Sequence, residues 1–540
     1  MQPTTLGQPA RNPSFTGVWP WAWLAVLEVG ALVAFFGFEA LPFQDLPAHA
    51  GLIALRDRLP VSPFEHRYWV FAPHVGGYSL FRWLGHALAV PFGPLGAVRV
   101  LAAMPCLAFP AALLYARRRL YGELQPGFGF LGILLSFGLM TLLGFASYLI
   151  ALGVLIVSLT WWLELLALGE RSDGPSAPRR WLTAKVAVAA AFMVVAHGFA
   201  FVVFLVLCAA TAVATGRRTR RVGQLALLAP ALGIAAWSTM VERSLPVPAG
   251  SVPWLGHEPP IHFQGVYDKL SLLFTPTLMT RWGLDIGLCI YLWVFWAWTL
   301  ARVRRRPAAE GRAEDEIHVS ALAGATGAAL VLFAVLPHSI HWFGFVDGRL
   351  VPLVLMLGFL TVPRRYLSLR MAAQFDRVIP LAATVMIVLV LVASYSFQAE
   401  ARGYREVLAE VPTGSRLLNL PLAPNSDVFT AHPFVHYDKL PLVERPLLVS
   451  DVWIHQGSAL YPTAENPTLS LPPSYIESNL VGIEWPSYKL EQWDYVLIRT
   501  NAHDPAPSVP EILTLVRHEG GWWLYRSRPA APTSARDVPL

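Results

Sequence analysis

Residues 19–49 have the sequence WPWAWLAVLEVGALVAFFGFEALPFQDLPAH. The first part is an apolar run of about 20 residues, the length of a helix that crosses the hydrocarbon core of a bilayer. Trp19, Trp21 and Trp23 stand at its start, a position typical of a membrane interface. No small-residue cleavage site follows, so we predict a retained first helix rather than a signal peptide.

The chain as a whole is apolar. Of its 540 residues, 55% are hydrophobic and only 14% are charged, which is too apolar for a soluble enzyme of this length. We therefore predict a mainly α membrane protein with about 11 transmembrane helices. The apolar runs lie near residues 19–38, 98–116, 126–143, 147–168, 183–197, 199–215, 223–242, 283–301, 318–337, 348–362 and 378–397.

The positive charges predict the orientation of these helices. If the N-terminus is cytoplasmic, every clear arginine cluster falls in a cytoplasmic loop, as the positive-inside rule requires. The net charge of +6 is thereby explained without a polyanion, and no nucleic-acid partner is expected. The clusters lie within residues 117–119, 171–180, 217–221, 302–312 and 364–377.

This orientation depends on the first outer loop. The stretch 76–90 is moderately apolar but contains Arg82 and His86, and counting it as a crossing would move 117–119 to the outside. We therefore predict two helices that lie along the membrane surface, about 45–59 and 78–90.

From Gln398 onward, prolines, charges and short alternating runs replace the long apolar blocks. This change predicts a transmembrane domain, 1–397, and a small non-cytoplasmic α/β domain, 398–540. A short helix is predicted near Tyr404–Glu410. The predicted strands are Arg416–Leu422, Leu447–Ile454, Tyr495–Arg499 and Trp522–Tyr525. Polar residues without recognisable spacing are interpreted as loop residues: His432, His436, Asp438, Asp451 and His455.

Asp45 is the first candidate for chemistry, because it follows the first helix where that helix leaves the membrane. Partial desolvation raises the pKa of a carboxylate at such a boundary, which suits it to act as a base toward a hydroxyl group. On a helix, Asp45 and His49 share a face, so they could cooperate in proton transfer or bind a divalent ion. Alternatively, Asp45 simply caps the helix that Pro47 begins.

The other candidates lie at the outer ends of apolar runs. Arg349 enters the tenth run, where an arginine is costly and needs a partner or a function, and its planar fork suits a phosphate. An ion pair with Asp347 or with another carboxylate is the structural alternative. His197 and His341 are candidate substrate-binding residues, although no HExxH or other metal spacing is present and a structural histidine is the alternative for each.

This arrangement resembles the GT-C superfamily of membrane glycosyltransferases, which includes protein O-mannosyltransferases, aminoarabinose transferases and arabinofuranosyltransferases. The resemblance covers the whole transmembrane part. It implies that Asp45 is the catalytic base, that sugar arrives on a polyprenyl phosphate, and that Arg349 lies near the lipid phosphate. Many members have two neighbouring acids, whereas Gln44 and Leu46 flank Asp45 here. Whether the protein uses a divalent cation, or any other cofactor, is therefore left open.

Three functions follow from these features. The favoured one is an inverting glycosyltransferase of the cell envelope, in the bacterial cytoplasmic membrane, with a membrane-lipid donor and an acceptor that the resemblance does not specify. In the second, a non-catalytic GT-C-like scaffold assists assembly of envelope polysaccharide or lipoprotein. A transporter of a lipid-linked substrate is the third, but charged residues cluster at helix ends rather than deep in several spans.

Overall fold

The computed structural model describes residues 17–72, 75–168, 176–215, 223–244, 261–303, 313–340, 343–451, 459–472, 474–480 and 482–527. Long helices dominate the chain up to residue 400, and short helices and strands dominate the remainder. The α-helices are α1 (Val18–Phe36), α2 (Leu46–Arg58), α3 (Pro63–Tyr68), α4 (Ser79–Tyr121), α5 (Pro126–Ser136), α6 (Leu139–Leu142), α7 (Ala146–Leu168), α8 (Ser176–Ala196), α9 (Gly198–Ala214), α10 (Ala229–Ser244), α11 (Val266–Ser271), α12 (Leu284–Val303), α13 (Ala313–Val335), α14 (Leu350–Leu360), α15 (Leu369–Glu400), α16 (Tyr404–Ala409) and α17 (Leu440–Glu444). The strands are β1 (Trp69–Phe71), β2 (Ile261–His262), β3 (Ser339–Ile340), β4 (Arg416–Pro421), β5 (Leu448–Val449), β6 (Leu460–Pro462), β7 (Tyr495–Arg499), β8 (Leu513–Glu519) and β9 (Trp522–Ser527).

The chain is a multi-pass membrane protein. Within the described residues, 7 helices are long and apolar enough to cross a bilayer. Their apolar parts lie in α1, α4, α7, Gln224–Val241, α12, α13 and α15. Three of the predicted crossings form shorter helices. One is α9, with 17 residues; the other two, α5 and α14, have 11 residues each and span only about 16 Å. All of their residues are buried, so these runs are apolar because protein surrounds them. The exact number of crossings stays a prediction.

Helix α4 contains both the second predicted surface helix and the crossing that follows it. A straight helix of its 43 residues would be about 65 Å long, roughly twice the hydrocarbon thickness. Gly93 breaks it, with a φ of 68° that other residues rarely adopt. The part before the break corresponds to the predicted surface helix 78–90, and the part after it contains the predicted crossing 98–116. The predicted surface helix 45–59 corresponds to α2.

We expect a cysteine at Leu95 to be labelled by a membrane-impermeant maleimide from the outer side of intact cells. Leu95 follows the break in α4 and lines a surface cavity, so the reagent can reach it. Leu124→Cys, at an exposed position beyond the other end of the same helix, should react only after permeabilisation. Cys106, Cys208 and Cys289 are buried and contribute little background. Labelling of position 124 but not 95 in intact cells would reverse the predicted topology.

A five-stranded sheet follows the last long helix, with strand order β5-β4-β7-β9-β8. Strand β4 pairs in parallel with β5 and β7, and β9 is antiparallel to β7 and β8. Alternate residues of a strand point to opposite faces. Leu418 and Val496 thus enter a core of their own, whereas Leu417 and Leu497 join the core shared with the helices. The sheet is therefore packed against the transmembrane part.

Further contacts fix the first outer loop to the C-terminal part. Strand β1 pairs antiparallel with β6, so the two parts share a small sheet. Arg58, at the end of α2, donates to Glu65 at 2.8 Å and to the carbonyl oxygens of Leu442 at 2.6 Å and Val443 at 3.2 Å. Because these bonds hold α2 against residues 433–444, they also bring the start of α2 close to that segment.

Candidate active site

Asp45 lies immediately before α2 and is only 6% exposed. Its backbone occupies the cap position. In the part of the chain that the structure describes, however, its carboxylate accepts no bond from the N–H groups of the first turn. The capping alternative therefore does not account for this side chain. A buried carboxylate that does not serve the helix is available for another partner.

The loop before α7 closes over Asp45. Gly144 has a φ of 85°, and a Cβ atom at this position would lie 2.7 Å from Cβ and 2.9 Å from the backbone nitrogen of Asp45. The adjoining residue Gln44 donates its N–H to the carbonyl oxygen of Leu142 at 2.9 Å. His49 forms a hydrogen bond with the Gly144 backbone, and its ring lies 4.7 Å from that of Phe81. Glycine is thus required at 144 by both conformation and space.

Arg349 sits in an aromatic cage at the start of α14. Its guanidinium carbon lies 4.0 Å from the ring centre of Phe145, 4.1 Å from that of Phe343 and 5.5 Å from that of Tyr148. The guanidinium also donates to the carbonyl oxygen of Gly344 at 3.1 Å, and Arg349 is only 4% exposed. Stacking between rings holds a guanidinium in place and leaves its remaining N–H groups free for a ligand.

The Asp347 carboxylate is used elsewhere. It is bonded to Lys269 and to His338, each at 3.1 Å. The ion pair between Arg349 and Asp347, which was the structural alternative, is therefore not formed. Asp347 instead connects the ends of α13 and α14 to the segment that contains α11. It helps to position the neighbouring Arg349 backbone.

His197 lies beside the same cage. Its ring centre is 5.1 Å from that of Tyr78, 5.4 Å from that of Tyr148 and 6.0 Å from that of Phe343. The side chain is buried, and neither ring nitrogen has a hydrogen-bond partner among the described residues. Such a residue is unusual in a protein interior, and it is consistent with a place for a polar ligand atom. His341, the remaining sequence-predicted residue, lies outside the described residues.

The C-terminal part contributes a histidine to Asp45. Nε2 of His436 lies 3.8 Å from Oδ1 of Asp45, and Nδ1 of His436 lies 3.2 Å from Oε2 of Glu477. Lys439 donates to the same Glu477 oxygen at 2.6 Å and pairs with Asp438 at 3.0 Å. All five side chains are buried. The result is a continuous chain of ionisable groups that starts at Asp45 and ends in the C-terminal part.

The second carboxylate oxygen of Glu477 is also bonded. It accepts hydrogen bonds from Tyr475 at 2.8 Å and from the side-chain amide of Asn419 at 3.1 Å. Ser450 lies 2.7 Å from the Tyr475 hydroxyl oxygen. Such a fully bonded carboxylate has a fixed position. Glu477 is therefore a rigid support for His436.

Burial and charge determine the protonation of this site. Burial raises the pKa of Asp45 well above its usual range, and the charge of Arg349 opposes that rise. The Asp45 carboxylate and the Arg349 guanidinium are thus electrostatically coupled. Burial and, secondarily, the charge of His436 lower the pKa of His49 to about 3, so this imidazole is neutral. Burial would raise the pKa of Glu477, but Lys439 and His436 lower it below its usual range, so this carboxylate stays ionised.

Comparison with solved structures identifies the fold. ArnT from Cupriavidus metallidurans bound to undecaprenyl phosphate aligns over 94% of this chain and 97% of its own, with a TM-score of 0.53 and 13% sequence identity. The apo form of ArnT aligns over the same shares, with a TM-score of 0.49 and 14% identity. The Archaeoglobus fulgidus oligosaccharyltransferase in the apo form aligns over 90% of this chain and 70% of its own, with a TM-score of 0.46 and 12% identity. No protein-family model matches the sequence, and no curated protein sequence does.

The chain has the GT-C fold. This confirms the resemblance inferred from the sequence at the level of fold, and at 13% identity the likeness supports no more than that. The roles of the individual residues depend on the geometry described above. Asp45 lies beside His49 and Arg349 beside His197, and the charge of Arg349 acts on Asp45; their roles as site residues stay a prediction.

A cavity of about 250 Å³ lies against the start of α2. Glu39, Arg99 and Pro47 contribute to its walls, but neither Asp45 nor Arg349 does. A shared pocket for these two residues stays a prediction. Among the residues that the structure describes, no group of three or more His, Cys, Asp or Glu side chains is arranged to hold a metal ion.

The sequence interpretation overlooked the role of His436 and did not consider Glu477. His436 was interpreted as a loop residue, because no spacing connects it with Asp45, which lies far away in the chain. Its signal in the sequence was weak: it is followed by Asp438 and Lys439, a clustering of charge in an otherwise apolar segment. Of the accompanying residues, Asp438 is buried in the short 3-10 helix Pro433–Lys439, whereas Asp451 is partly buried and belongs to no helix or strand. His455 lies outside the described residues.

Proposed function

We propose that this protein transfers a sugar from a polyprenyl-phosphate donor to an acceptor at the outer face of a bacterial cytoplasmic membrane. The observation that supports this proposal is the electrostatic coupling of buried Asp45 to caged Arg349. A displacement reaction of this kind needs a base at the attacking oxygen and an anion-binding group at the leaving phosphate. The GT-C fold, which this chain shares with ArnT bound to undecaprenyl phosphate, supports the same class of reaction.

In the proposed reaction, Asp45 removes the proton of an acceptor hydroxyl as its oxygen attacks the anomeric carbon of the sugar. The bond from that carbon to the phosphate oxygen breaks, and its electron pair stays on the lipid phosphate. Arg349 stabilises the developing negative charge, because a charge-assisted bond is strong in a buried site. A single displacement of this kind inverts the anomeric configuration.

His197 and His49 would complete the substrate site. Beside Arg349, the ring nitrogens of His197 have no hydrogen-bond partner among the described residues, so His197 is proposed to contact the phosphate or the sugar. His49 faces the Gly144 backbone on the other side of Asp45. A neutral imidazole can donate a hydrogen bond to a hydroxyl group and accept one from it. His341 is proposed as a further contact because it lies shortly before Arg349 in the chain.

We expect the protein in lipid nanodiscs to bind undecaprenyl phosphate more tightly than undecaprenol, measured as Kd by native mass spectrometry. Arg349→Gln should weaken binding of the phosphate about 10- to 100-fold, the effect of losing one charge-assisted interaction of 1.4–2.8 kcal/mol. Arg364→Gln is the matched control. Arg364 lies beyond the other end of α14 and pairs with Asp376, so its loss should leave lipid binding unchanged.

Equal affinity for undecaprenyl phosphate and undecaprenol would contradict the proposal, because recognition would then depend on the polyprenyl chain alone. An unchanged Kd in Arg349→Gln would contradict the role of the cage. Phosphate-specific binding without sugar transfer would favour the scaffold or the transporter. The substitution of Asp45 described in the Discussion addresses this last distinction.

A further inference from the structure

We propose that His436, held by Glu477, is the positioning residue that keeps Asp45 competent as a base. The inference rests on the proposed function, and it assigns to the C-terminal part a direct role in proton handling at the membrane-proximal site. The three groups form an Asp45–His436–Glu477 relay. Three segments that are distant in sequence contribute its members: the start of α2, residues 433–439 after β4, and residues 477–479 after β6.

The side chains of Asp45 and His436 lie close together. A separation of 3.8 Å between Asp45 Oδ1 and His436 Nε2 needs a movement of only about 1 Å to become a hydrogen bond. The two groups are held near each other by the contacts of Arg58 with Leu442 and Val443. Both are buried, so a proton that leaves Asp45 on this side meets an imidazole.

Glu477 fixes the tautomer of His436. Glu477 is ionised and lies 3.2 Å from Nδ1, and a carboxylate only accepts hydrogen bonds. Nδ1 must therefore carry the proton in the neutral ring, which leaves the lone pair of Nε2 directed toward Asp45. The same logic applies wherever a carboxylate orients a catalytic imidazole. Lys439, Tyr475 and Asn419 hold the Glu477 carboxylate in place.

His436 also affects the ionisation of Asp45. An isolated buried carboxylate would retain its proton at neutral pH and could not act as a base. Transfer of that proton to Nε2 of His436 produces an Asp45 carboxylate and an imidazolium that remains bonded to Glu477. Arg349 favours the same ionised form from the other side. Burial and, secondarily, the charge of Lys439 lower the pKa of His436, and Glu477 opposes that decrease. Glu477 and Arg349 thus both favour the charged pair, which offsets the desolvation of Asp45 in the buried site.

During transfer, the proton of the acceptor hydroxyl moves to Asp45. The oxygen of that hydroxyl forms the glycosidic bond, and the phosphate leaves with the electron pair of the bond that breaks. After the product leaves, the proton moves from Asp45 to water that enters the vacated acceptor site. The imidazolium keeps its own proton on Nε2 throughout, so it balances the charge of Asp45 without being consumed.

The relay can be tested without an activity assay by NMR of the full-length protein labelled with nitrogen-15 at histidine. The His436 signals are assigned as those that disappear in the His436→Gln variant. We expect Nδ1 of His436 to carry a proton across the accessible pH range, and Nε2 to gain one as the pH falls. Glu477→Gln should permit both tautomers. Asp45→Asn should lower the pH at which Nε2 is protonated, because it removes the carboxylate that faces Nε2.

A neutral His436 with its proton on Nε2 would overturn the inference, and so would a titration unaffected by Asp45→Asn. His49, Arg349 and Lys439 also face Asp45 or His436 and carry titratable or positive groups. They are present in all of these variants, so they do not produce the differences between them.

The kinetic test uses polyprenyl-phosphate sugars extracted from the source membranes. We expect His436→Gln to lower kcat about 10- to 100-fold and leave KM for the donor unchanged. His436→Gly should recover part of its activity in added imidazole. His432→Gln is the matched control and should keep full activity, since its ring contacts Asn425 instead of Asp45.

The outcomes separate the two proposals. If the wild-type protein transfers no sugar but the NMR results are as expected, the relay stands and the proposed function fails. If transfer occurs and depends on Asp45, but His436→Gln keeps its kcat, the relay fails and the proposed function stands. A folded His436→Gly variant that imidazole cannot rescue would also count against the relay.

Discussion

Asp45→Asn is expected to reduce sugar transfer by about 1,000-fold or more, within the range observed when a general base is removed. The substitution keeps the size of the side chain and removes its basicity. Because the Asp45 carboxylate does not cap α2, the helix should remain folded. The measurement is the rate at which purified protein in nanodiscs consumes polyprenyl-phosphate sugars extracted from the source membranes.

Asp57→Asn provides the matched control. Asp57 lies on the same helix but is part of a more exposed cluster with Arg56 and His86. It should retain transfer within about twofold of wild type, since surface ion pairs contribute little. Undiminished transfer in a folded Asp45→Asn protein would exclude Asp45 as the base. Glu39 is then the next candidate, although it pairs with Arg405 at 2.5 Å in a more exposed position.

Gly144→Ala is expected to have the largest effect on the stability of the site. The added methyl group would lie 2.7–2.9 Å from Asp45 atoms, and the φ of 85° disfavours any residue with a Cβ. Strain and overpacking together should destabilise the fold by roughly 3–5 kcal/mol. We expect a marked fall in Tm in detergent, together with loss of transfer.

Gly122→Ala separates the two causes. Gly122 has a similar φ of 70°, but a Cβ at this position meets no atom within 4 Å. The control should therefore show only the conformational cost, about 1–2 kcal/mol. If both variants lose the same stability, the close approach of Gly144 to Asp45 contributes nothing, and the described packing of this loop is wrong.

Much of the fold could be predicted from the sequence, because the length of an apolar run and the charged residues at its ends are local properties. Strand β7 has the predicted bounds, Tyr495–Arg499, and β4 differs from its prediction by one residue. The pairing of β1 with β6 was not predictable, because each strand has only three residues and its partner is distant in the chain. Strand β8 was missed because its residues are mostly exposed and give little apolar signal.

The candidate site was only partly accessible for the same reason. Asp45 and Arg349 stand at membrane boundaries, where a charged residue is conspicuous, and the sequence therefore indicated both. His436 and Glu477 lie in segments of short helices and loops, where no motif or spacing distinguishes a single residue. Their importance arises from tertiary packing, since Arg58 fixes α2 against the segment that contains His436.

The most direct test of the central claim is a cryo-electron microscopy structure of the full-length protein in nanodiscs with undecaprenyl phosphate added. We predict density for the phosphate within hydrogen-bond distance of the Arg349 guanidinium, beside His197, with the Asp45 carboxylate facing the same space. A phosphate bound elsewhere, with Arg349 still enclosed by Phe145 and Phe343 and separated from the lipid, would contradict the account.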